Sequence, residues 1–289
     1  MKNLINLIDK KLDEYLPITY PDDIFKAMKY TLLLPGKRLR PVMCLETVRM
    51  LGGDMEKAFP SACAIEMLHV QSLIHDDLPC MDNDDFRRGK PSNHKVFGEA
   101  NAVLAGDALL TYAPQTIIEK SNGLSAEQLV RIIHEYTRFG GAFGLIAGQV
   151  VDIESEGGKF VKSSEETLDF IHLNKTAVLF RLAVRIGAII ANASDEEFSR
   201  MDNFATEFGL AFQIYDDIMD EISNFEELGK TAGKDKNSGK LTYVTLYGLD
   251  EAKNKFRSHI EECYGIIERY HSEIFNEILG KLRDRILGV

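Results

Sequence analysis

Apolar residues recur every three or four positions along most of the chain, which is the spacing of amphipathic α-helices. In the segment 61–74 the apolar positions on one face are Ala64, Met67, Leu68 and Ile74. A capping-box sequence at 163–166 predicts the start of a long helix that runs toward residue 191. Another long helix is predicted over 201–220.

Short turn sequences rich in Gly, Asn, Ser or Asp separate these segments, at 52–54, 121–123, 156–158 and 192–195. No segment alternates apolar and polar residues as a half-buried strand does. Typical helix lengths then predict about ten helices. Because no break in composition marks a boundary, we expect one all-α domain over residues 1–289, a helical bundle.

The composition excludes some classes of protein. The chain has 289 residues, 45% of them hydrophobic, and a net charge of -11 with a pI of 5.2. Such an acidic chain lacks the basic footprint of a nucleic-acid-binding protein. Its four cysteines show no paired spacing and are expected to be free thiols. No stretch is long and apolar enough to span a bilayer, so we expect a cytoplasmic protein without stable membrane insertion.

Two aspartate-rich clusters are the main candidates for chemistry, the first at 76–82 and the second at 216–220. Each follows an apolar, helix-periodic run. Because an unpaired buried carboxylate is costly, both clusters are expected to meet cations. Oxygen ligands of this kind favour Mg²⁺, which usually binds one or two carboxylates and substrate phosphates. The sequence therefore predicts a metal-dependent enzyme that acts on a phosphorylated substrate.

The spacing within each cluster predicts which carboxylates act together. Asp216 and Asp220 are four residues apart and share a helical face with Gln213. Asp76 and Asp82 are six apart, which an ideal helix places on different faces. Pro79 lies between them and breaks the helical hydrogen bonding, so the chain is expected to bring Asp82 back toward Asp76.

Basic side chains flank both clusters, and together they suit a phosphate-bearing substrate. Taken one at a time, each is better explained as an exposed charge or as a histidine whose hydrogen bonds are made within the protein. The group lies in the turn 36–41, in the segment 85–90, at His69 two helical turns before Asp76, and in the segment 172–176. The lysine-rich segment 223–240 fits either a solvated surface loop or a mobile lid over phosphates, and its position after the second cluster favours the lid.

Several of these motifs, in this order, closely resemble the trans-isoprenyl diphosphate synthases. The first is the run 72–91, which includes Asp76, Asp77 and Asp82. The match continues through 93–100, 104–108, 172–176, 209–220 and 228–230, and it also includes 36–41. The resemblance covers roughly residues 30–250. The first motif carries a two-residue insertion, and in this it resembles the branch of bacterial farnesyl and plant-plastid geranylgeranyl diphosphate synthases.

The resemblance implies an isoprenoid-synthase bundle around a central cavity, usually a homodimer, with three Mg²⁺ ions in each site. It implies that Asp76 and Asp82, facing Asp216, hold the metal ions, with Asp77 and Asp220 in support. Its substrates are isopentenyl diphosphate and an allylic diphosphate. The implied contacts of the allylic diphosphate are Arg87, Lys175 and Lys230, and those of isopentenyl diphosphate are Lys37, Arg40, His69 and Arg88. Thr176 and Gln213 are implied to lie near the reacting carbons.

The helix before the first cluster is implied to control product length. In the family, bulky aromatic residues four and five positions before the first aspartate tend to stop elongation at fifteen carbons. This chain has Ser72 and Gln71 there, which leaves a C20 product open. The overall pattern resembles the bacterial C15 enzymes, so we expect farnesyl diphosphate, with geranylgeranyl diphosphate as the alternative.

Three other functions fit the sequence less well. A helical metal phosphohydrolase leaves the second cluster and the turn 36–41 unexplained. A terpene cyclase does not need the cations expected to bind isopentenyl diphosphate. A non-catalytic regulatory subunit is the alternative from another class, and it predicts no turnover by the purified chain alone.

Overall fold

The computed structural model of the protein describes residues 1–156, 162–222 and 241–288. The chain divides into two compact units, Met1–Tyr136 with Ile189–Ala191, and Thr137–Ala188 with Asn192–Val289. The predicted lid segment, with Lys230, lies outside the described residues.

The first unit is built around one buried helix. Its helices are α1 (Lys2–Tyr15), α2 (Asp22–Leu32), α3 (Leu39–Met50), α4 (Phe59–Asp76), α5 (Asn93–Phe97), α6 (Glu99–Lys120) and most of α7 (Ala126–Gly140). Helix α4 contacts α1, α2, α3 and α6. Its residues Phe59–Leu68 are all buried, on every face of the helix, as expected for a helix surrounded by protein. The predicted helix 61–74 is therefore present and extends by two residues at each end.

One buried ion pair ties the start of α3 to α4. Arg38 precedes α3 in a left-handed backbone conformation, with φ of 48°. Its guanidinium donates to Glu66 Oε1 at 2.7 Å, to Asp9 Oδ1 at 2.8 Å and to Leu32 O at 2.9 Å. These bonds satisfy both buried charges. They also fix the turn from which the predicted substrate cations Lys37 and Arg40 project.

The prediction that no strand is present needs a correction, because a minimal hairpin follows the first cluster. Its strands, β1 (Phe86–Arg87) and β2 (Lys90–Pro91), pair antiparallel. The turn between them is formed by Arg88 and Gly89, with φ of 52° and 75°. Positive φ at both central residues is the geometry of a tight hairpin turn. Two-residue strands are too short to show an alternating pattern in the sequence.

The second unit surrounds a long helix, α11. Its helices are the end of α7, α8 (Leu145–Glu156), α9 (Ser164–Ile171), most of α10 (Val178–Ile190), α11 (Asp195–Ile222), α12 (Tyr243–Tyr247), α13 (Leu249–Ile267) and α14 (Glu273–Leu287). The capping box is present at Ser163 and Glu166. Buried aromatic rings fill the core, at Phe180, Phe204, Phe208, Phe256 and Phe275.

The long helix predicted from 163 to 191 is interrupted by a π-helix, His172–Ala177, between α9 and α10. Glycines on two neighbouring helices allow a close approach there. A Cβ at Gly148 of α8 would overlap the backbone of Lys175, and one at Gly209 of α11 would overlap Ala177. A π-helix is rare, and where one interrupts an α-helix it is frequently found at a functional site. This one carries Lys175 and Thr176, both predicted site residues.

The all-α class is confirmed. None of the helices in the described ranges is both long and apolar enough to cross a membrane.

Candidate active site

An acidic pocket of about 180 Å³ lies in the second unit, beside the C-terminal half of α11. Its polar lining residues are Asp152, His172, Lys175, Gln213, Asp216, Asp217, Asp220 and Thr242. Four carboxylates therefore face one ammonium group. Such a pocket repels a diphosphate unless cations lie between the two sets of negative charges. We refer to it below as the acidic pocket.

Within the second cluster, the outer and inner aspartates differ in burial. Asp216 and Asp220 lie on one face of α11 and line the pocket, as their spacing predicts; Asp216 is exposed and Asp220 half-buried. Asp217 is buried. It accepts a hydrogen bond from Gln213 Nε2 and another from the backbone N–H of Tyr243, both at 2.8 Å. Asp217 therefore holds the start of α12 against α11.

A short chain of hydrogen bonds continues from Asp217 to the π-helix. Thr176 Oγ1 donates to Gln213 Oε1 at 2.5 Å, and Gln213 in turn donates to Asp217. The side chain of His172 stacks on Tyr243, and its Nε2 lies 3.8 Å from Asp217. Thr176 and Gln213 are thus joined directly, which fixes the orientation of both polar groups.

Lys175 forms an ion pair with Asp152 of α8, inside the acidic pocket. Asp152 is buried and was not among the predicted site residues. Its signal in the sequence is that it is the one charged residue in the largely apolar run 145–153. The pairing of Lys175 with Asp152 was not evident from sequence spacing, because the two residues are 23 positions apart.

In the first cluster, the expected break after α4 is present. The helix ends at Asp76, and the chain turns so that the backbone N–H of Asp82 donates to the backbone carbonyl of Asp76 at 2.8 Å. Asp76 is half-buried and Asp82 is exposed. The turn therefore brings together the two aspartates predicted to bind metal.

The middle aspartate of this cluster is buried against an arginine. Asp77 is 1% exposed and accepts hydrogen bonds from the guanidinium of Arg87, including Nε to Oδ1 at 2.9 Å. Burial raises the pKa of Asp77, and the bonds from Arg87 act against that shift. Arg87 comes from β1, so the hairpin positions this ion pair.

The predicted cations of the first unit gather near His69 on α4. Arg88 donates to the backbone carbonyl of Leu34 at 3.3 Å, and a Cβ at Gly36 would overlap its guanidinium. Burial, followed by the charges of Arg40 and Arg88, lowers the pKa of His69 well below its ordinary value. His69 is therefore neutral at pH 7 and can donate one hydrogen bond to an anion. Lys37 is exposed in the same turn.

The two predicted chain-length residues lie half-buried on α4. Ser72 Oγ donates to the backbone carbonyl of His69 at 2.8 Å. Gln71 Nε2 lies 3.1 Å from His75 Nδ1, and the other ring nitrogen of His75 lies 3.0 Å from the carbonyl of Val103 on α6. Gly106 makes room for that ring, since a Cβ there would overlap it. The contact with His75 therefore fixes the side chain of Gln71 along the surface of α4.

The oxygen donors of both clusters fit a divalent metal that is completed by substrate. In the part of the chain that the structure describes, no group of three or more His, Cys, Asp or Glu side chains converges on one point as a closed metal site. Mg²⁺ does not need such a site, because it keeps waters and binds one or two carboxylates with substrate phosphates. Asp216 and Asp220, and separately Asp76 and Asp82, supply such pairs. Whether the two clusters face each other stays a prediction.

Comparison with known proteins gives one family. The family model described as "Polyprenyl synthetase" matches residues 21–282. A protein named geranylgeranyl pyrophosphate synthase, chloroplastic, from Catharanthus roseus is 49% identical over 86% of this chain and 69% of its own. A second relative, from Arabidopsis thaliana, is named heterodimeric geranylgeranyl pyrophosphate synthase large subunit 1, chloroplastic. It is 46% identical over 97% of this chain and 73% of its own.

Among solved structures, the fold matches that of a geranyltransferase from Helicobacter pylori with a TM-score of 0.82 and 32% identity. The match covers 99% of this chain and 95% of the other. That protein was crystallised with magnesium and isoprenyl diphosphate.

Proposed function

Because the chain belongs to the polyprenyl synthetase family, we propose that it makes geranylgeranyl diphosphate from isopentenyl diphosphate and allylic diphosphates. The observation that carries this proposal is the acidic pocket, where Asp216 and Asp220 lie beside Lys175. Carboxylates that bind cations, next to an ammonium group, suit a diphosphate held through metal ions. The overall motif pattern favoured the C15 product, and the named relatives favour its C20 alternative.

We assign the metal ligands to the outer aspartates of both clusters, Asp76, Asp82, Asp216 and Asp220. The inner aspartates, Asp77 and Asp217, are engaged by Arg87 and by Gln213 with the Tyr243 N–H. They support the outer ones by fixing the backbone. Bound Mg²⁺, with three ions proposed, supplies positive charge that stabilises the departing diphosphate.

The chain's own groups position the two substrates. Lys175, Arg87 and Lys230 are proposed to bind the allylic diphosphate. The cations proposed for isopentenyl diphosphate are Lys37, Arg40 and Arg88, with neutral His69 as a hydrogen-bond donor. Thr176 and Gln213, which are joined by a hydrogen bond, are proposed to lie near the reacting carbons. A pocket closed to water protects the allylic cation while the new carbon–carbon bond forms.

The proposed reaction needs no nucleophile from the protein. The C–O bond of the allylic diphosphate breaks and pyrophosphate leaves with the electron pair. The double bond of isopentenyl diphosphate then forms the new C–C bond, and the proton that is lost goes to the pyrophosphate. What remains for the protein is positioning and electrostatic stabilisation, which are large terms in such reactions.

We propose that the small side chains before the first cluster set the product length. Neither Gln71 nor Ser72 carries a ring that would block a growing chain, and hydrogen bonds to His75 and to the His69 carbonyl hold both on α4. A C20 product is therefore favoured over C15 if these residues line the cavity floor.

The activity test uses the purified protein with Mg²⁺, labelled isopentenyl diphosphate and each of dimethylallyl, geranyl and farnesyl diphosphate. We expect farnesyl diphosphate to be extended and C20 to accumulate. Accumulation of C15 with no extension of farnesyl diphosphate would replace the proposal with the C15 enzyme. Folded protein that extends no primer would contradict catalysis and support the regulatory-subunit alternative.

Replacing Gln71 with Tyr tests the length assignment. The ring is expected to shift the main product from C20 to C15 while total isopentenyl incorporation is largely kept. Gln71→Met, of similar length but without a ring, is the matched control and should keep C20. An unchanged product from both variants would place the floor elsewhere.

We propose that the protein acts as a homodimer in the cytoplasm. The relative named as the large subunit of a heterodimer supplies the alternative for assembly, and the chloroplastic names supply the alternative for location. Light scattering of the purified protein distinguishes a dimer of this chain from a monomer that awaits a different partner.

A further inference from the structure

One buried carboxylate of the first unit serves two arginines that come from different elements. Glu66 lies on α4 and is 1% exposed. Its Oε1 accepts a hydrogen bond from Arg38 Nη1 at 2.7 Å and lies 3.8 Å from Arg88 Nη2. Arg38 directly precedes α3, and Arg88 lies in the turn of the hairpin. Glu66 therefore joins both of these segments to α4 through a single carboxylate oxygen.

The two arginines differ in how many of their donors the protein engages. The side chain of Arg38 has no exposed surface. Besides its bond to Glu66, it donates from Nε to Asp9 and from Nη2 to two backbone carbonyls. Arg88 is 21% exposed and, within the described ranges, donates a single hydrogen bond, from Nη1 to the carbonyl of Leu34 at 3.3 Å. Arg38 is thus fully used by the fold, whereas Arg88 keeps N–H groups for a ligand.

Contacts on two sides define the position of the Arg88 guanidinium. On one side is Gly36, where a Cβ would come within 2.7 Å of Nη1. Glu66 lies at the other nitrogen, Nη2. Burial lowers the pKa of Arg88, and the charge of Glu66 is the largest influence that opposes this shift. Loss of the Glu66 charge would therefore remove the ion-pair partner that holds this guanidinium beside the glycine.

Glu66 also lies close to the site predicted for isopentenyl diphosphate. His69 is three residues further along α4, so the two side chains share a face of the helix. The charge of Arg88 is among those that lower the pKa of His69, after burial and the charge of Arg40. Two groups assigned to this substrate, Arg88 and His69, are thus neighbours of one buried carboxylate that is not itself assigned to any substrate.

We propose that Glu66 is a positioning residue for isopentenyl diphosphate, because its carboxylate sets the orientation in which the Arg88 guanidinium meets the diphosphate. This inference rests on the proposed function, which assigns Arg88 to that substrate. A guanidinium binds phosphate oxygens most strongly through two parallel hydrogen bonds, and these require a defined orientation of its plane. Holding the plane in advance also reduces the side-chain entropy that is lost on binding.

Glu66→Gln removes the charge and keeps the shape of the side chain. The direct measurement is equilibrium dialysis of labelled isopentenyl diphosphate in EDTA, without any allylic diphosphate. Under these conditions no turnover takes place, and binding through divalent cations at the aspartate clusters is removed. We expect the dissociation constant to rise at least tenfold relative to the wild type.

Steady-state kinetics with Mg²⁺ separate positioning from a general loosening of the fold. In Glu66→Gln the KM for isopentenyl diphosphate should rise at least tenfold. The KM for farnesyl diphosphate should change less than twofold and kcat less than threefold, because Glu66 has no contact with the groups assigned to the allylic substrate. A purely structural role would not confine the effect to one substrate.

Asp9→Asn is the matched control, because it removes a carboxylate from Arg38 but leaves the contact between Glu66 and Arg88. It should lower stability and change the dissociation constant of isopentenyl diphosphate less than twofold. A second control places Glu66→Gln in an Arg88→Gln background. There Glu66→Gln should change the dissociation constant less than twofold, since the group that it positions is gone.

Four results would overturn the proposal. They are a wild type that does not bind isopentenyl diphosphate, a dissociation constant that Glu66→Gln leaves within twofold, an equal loss of binding in Asp9→Asn, and a tenfold effect that persists in the Arg88→Gln background. Wild-type protein that binds isopentenyl diphosphate but extends no primer would instead contradict the proposed function, and the dialysis would still decide the role of Glu66.

Urea unfolding establishes that each variant is folded, since Glu66→Gln leaves the buried Arg38 with one carboxylate fewer. If that variant does not fold, Glu66→Asp takes its place. It keeps the charge, but its side chain is one methylene shorter and withdraws the carboxylate from Arg88, so the same rise in the dissociation constant is expected. Failure of both variants to fold would assign Glu66 to the fold alone and would also overturn the proposal.

Discussion

The two aspartate-rich clusters reach a similar arrangement by different routes. In the second cluster a continuous helix places Asp216 and Asp220 on one face, whereas in the first a chain reversal after α4 returns Asp82 to Asp76. In both, the middle aspartate is buried and its oxygens are engaged by protein groups. Similar-looking carboxylates therefore divide into outer ones accessible to ligands and inner ones that stabilise the backbone.

The partners of the inner aspartates show a further difference. Asp77 is held by the charged guanidinium of Arg87, whereas Asp217 is held by an amide and a backbone N–H. The histidines differ as well, since His69 of the first unit is near arginines and His172 of the second lies 3.8 Å from Asp217. Each difference can be tested separately.

The largest effect is expected from the outer aspartates. Asp76→Ala and Asp216→Ala should each lower kcat by about 10²–10³, because each removes charge needed to hold the metal-bound diphosphate. The free energy of unfolding should change by no more than about 0.5 kcal/mol, because neither the exposed Asp216 nor the half-buried Asp76 is part of the packed core. Steady-state kinetics and urea unfolding measure the two quantities. Asp23→Ala, at an exposed position on α2, is the control and should leave both unchanged.

The inner aspartates should give the opposite result for stability. Asp77→Ala leaves the guanidinium of Arg87 without its carboxylate, and a loss of about 3 kcal/mol in the free energy of unfolding is expected. Asp217→Ala leaves the Tyr243 N–H and the Gln213 amide without their acceptor, at a cost of about 1–3 kcal/mol. Urea unfolding followed by circular dichroism measures both. If the inner variants are as stable as Asp76→Ala, the division between inner and outer positions is wrong.

The smallest effect concerns His69 and its dependence on pH. The folded protein keeps His69 neutral because its pKa is lowered, whereas the unfolded chain takes up a proton near its ordinary value of 6.5. Stability from this group is therefore complete above pH 6.5 and is lost as the pH falls toward the folded pKa. Between pH 7.5 and 5.5 the loss should be about 1 kcal/mol.

Paired unfolding measurements at those two pH values check the sign. His69→Gln should lose less stability than the wild type on acidification, while His134→Gln, at an exposed position on α7, should follow the wild type. A wild-type dependence retained in full by His69→Gln would assign the titration to another group.

Much of the architecture could be read from local patterns, and its successes and failures have physical reasons. The helices around 61–74 and 201–220 follow from periodic apolar residues, and the capping box marks the start of α9. The family resemblance to trans-isoprenyl diphosphate synthases, drawn from ordered motifs, is confirmed. The hairpin at 86–91 was missed because two-residue strands leave no periodicity, and the π-helix was missed because it retains a helical pattern.

Site residues show the same division. The pairing of Asp216 with Asp220 follows from helix geometry, and the break at Pro79 follows from proline chemistry. The partnership of Lys175 with Asp152 joins residues far apart in sequence, and no local pattern predicts it. The burial of Asp77 and Asp217 was equally hidden, since adjacent aspartates look alike in a motif.

By itself the sequence determined the helical class, the positions of the carboxylates and cations, and the family, because periodicity, turn chemistry and ordered motifs are local properties of the chain. Only the tertiary structure decided which carboxylates are buried and which cations they neutralise. Those outcomes depend on which helices pack together, and glycines such as Gly106, Gly148 and Gly209 act there by allowing a close approach between elements that are distant in sequence.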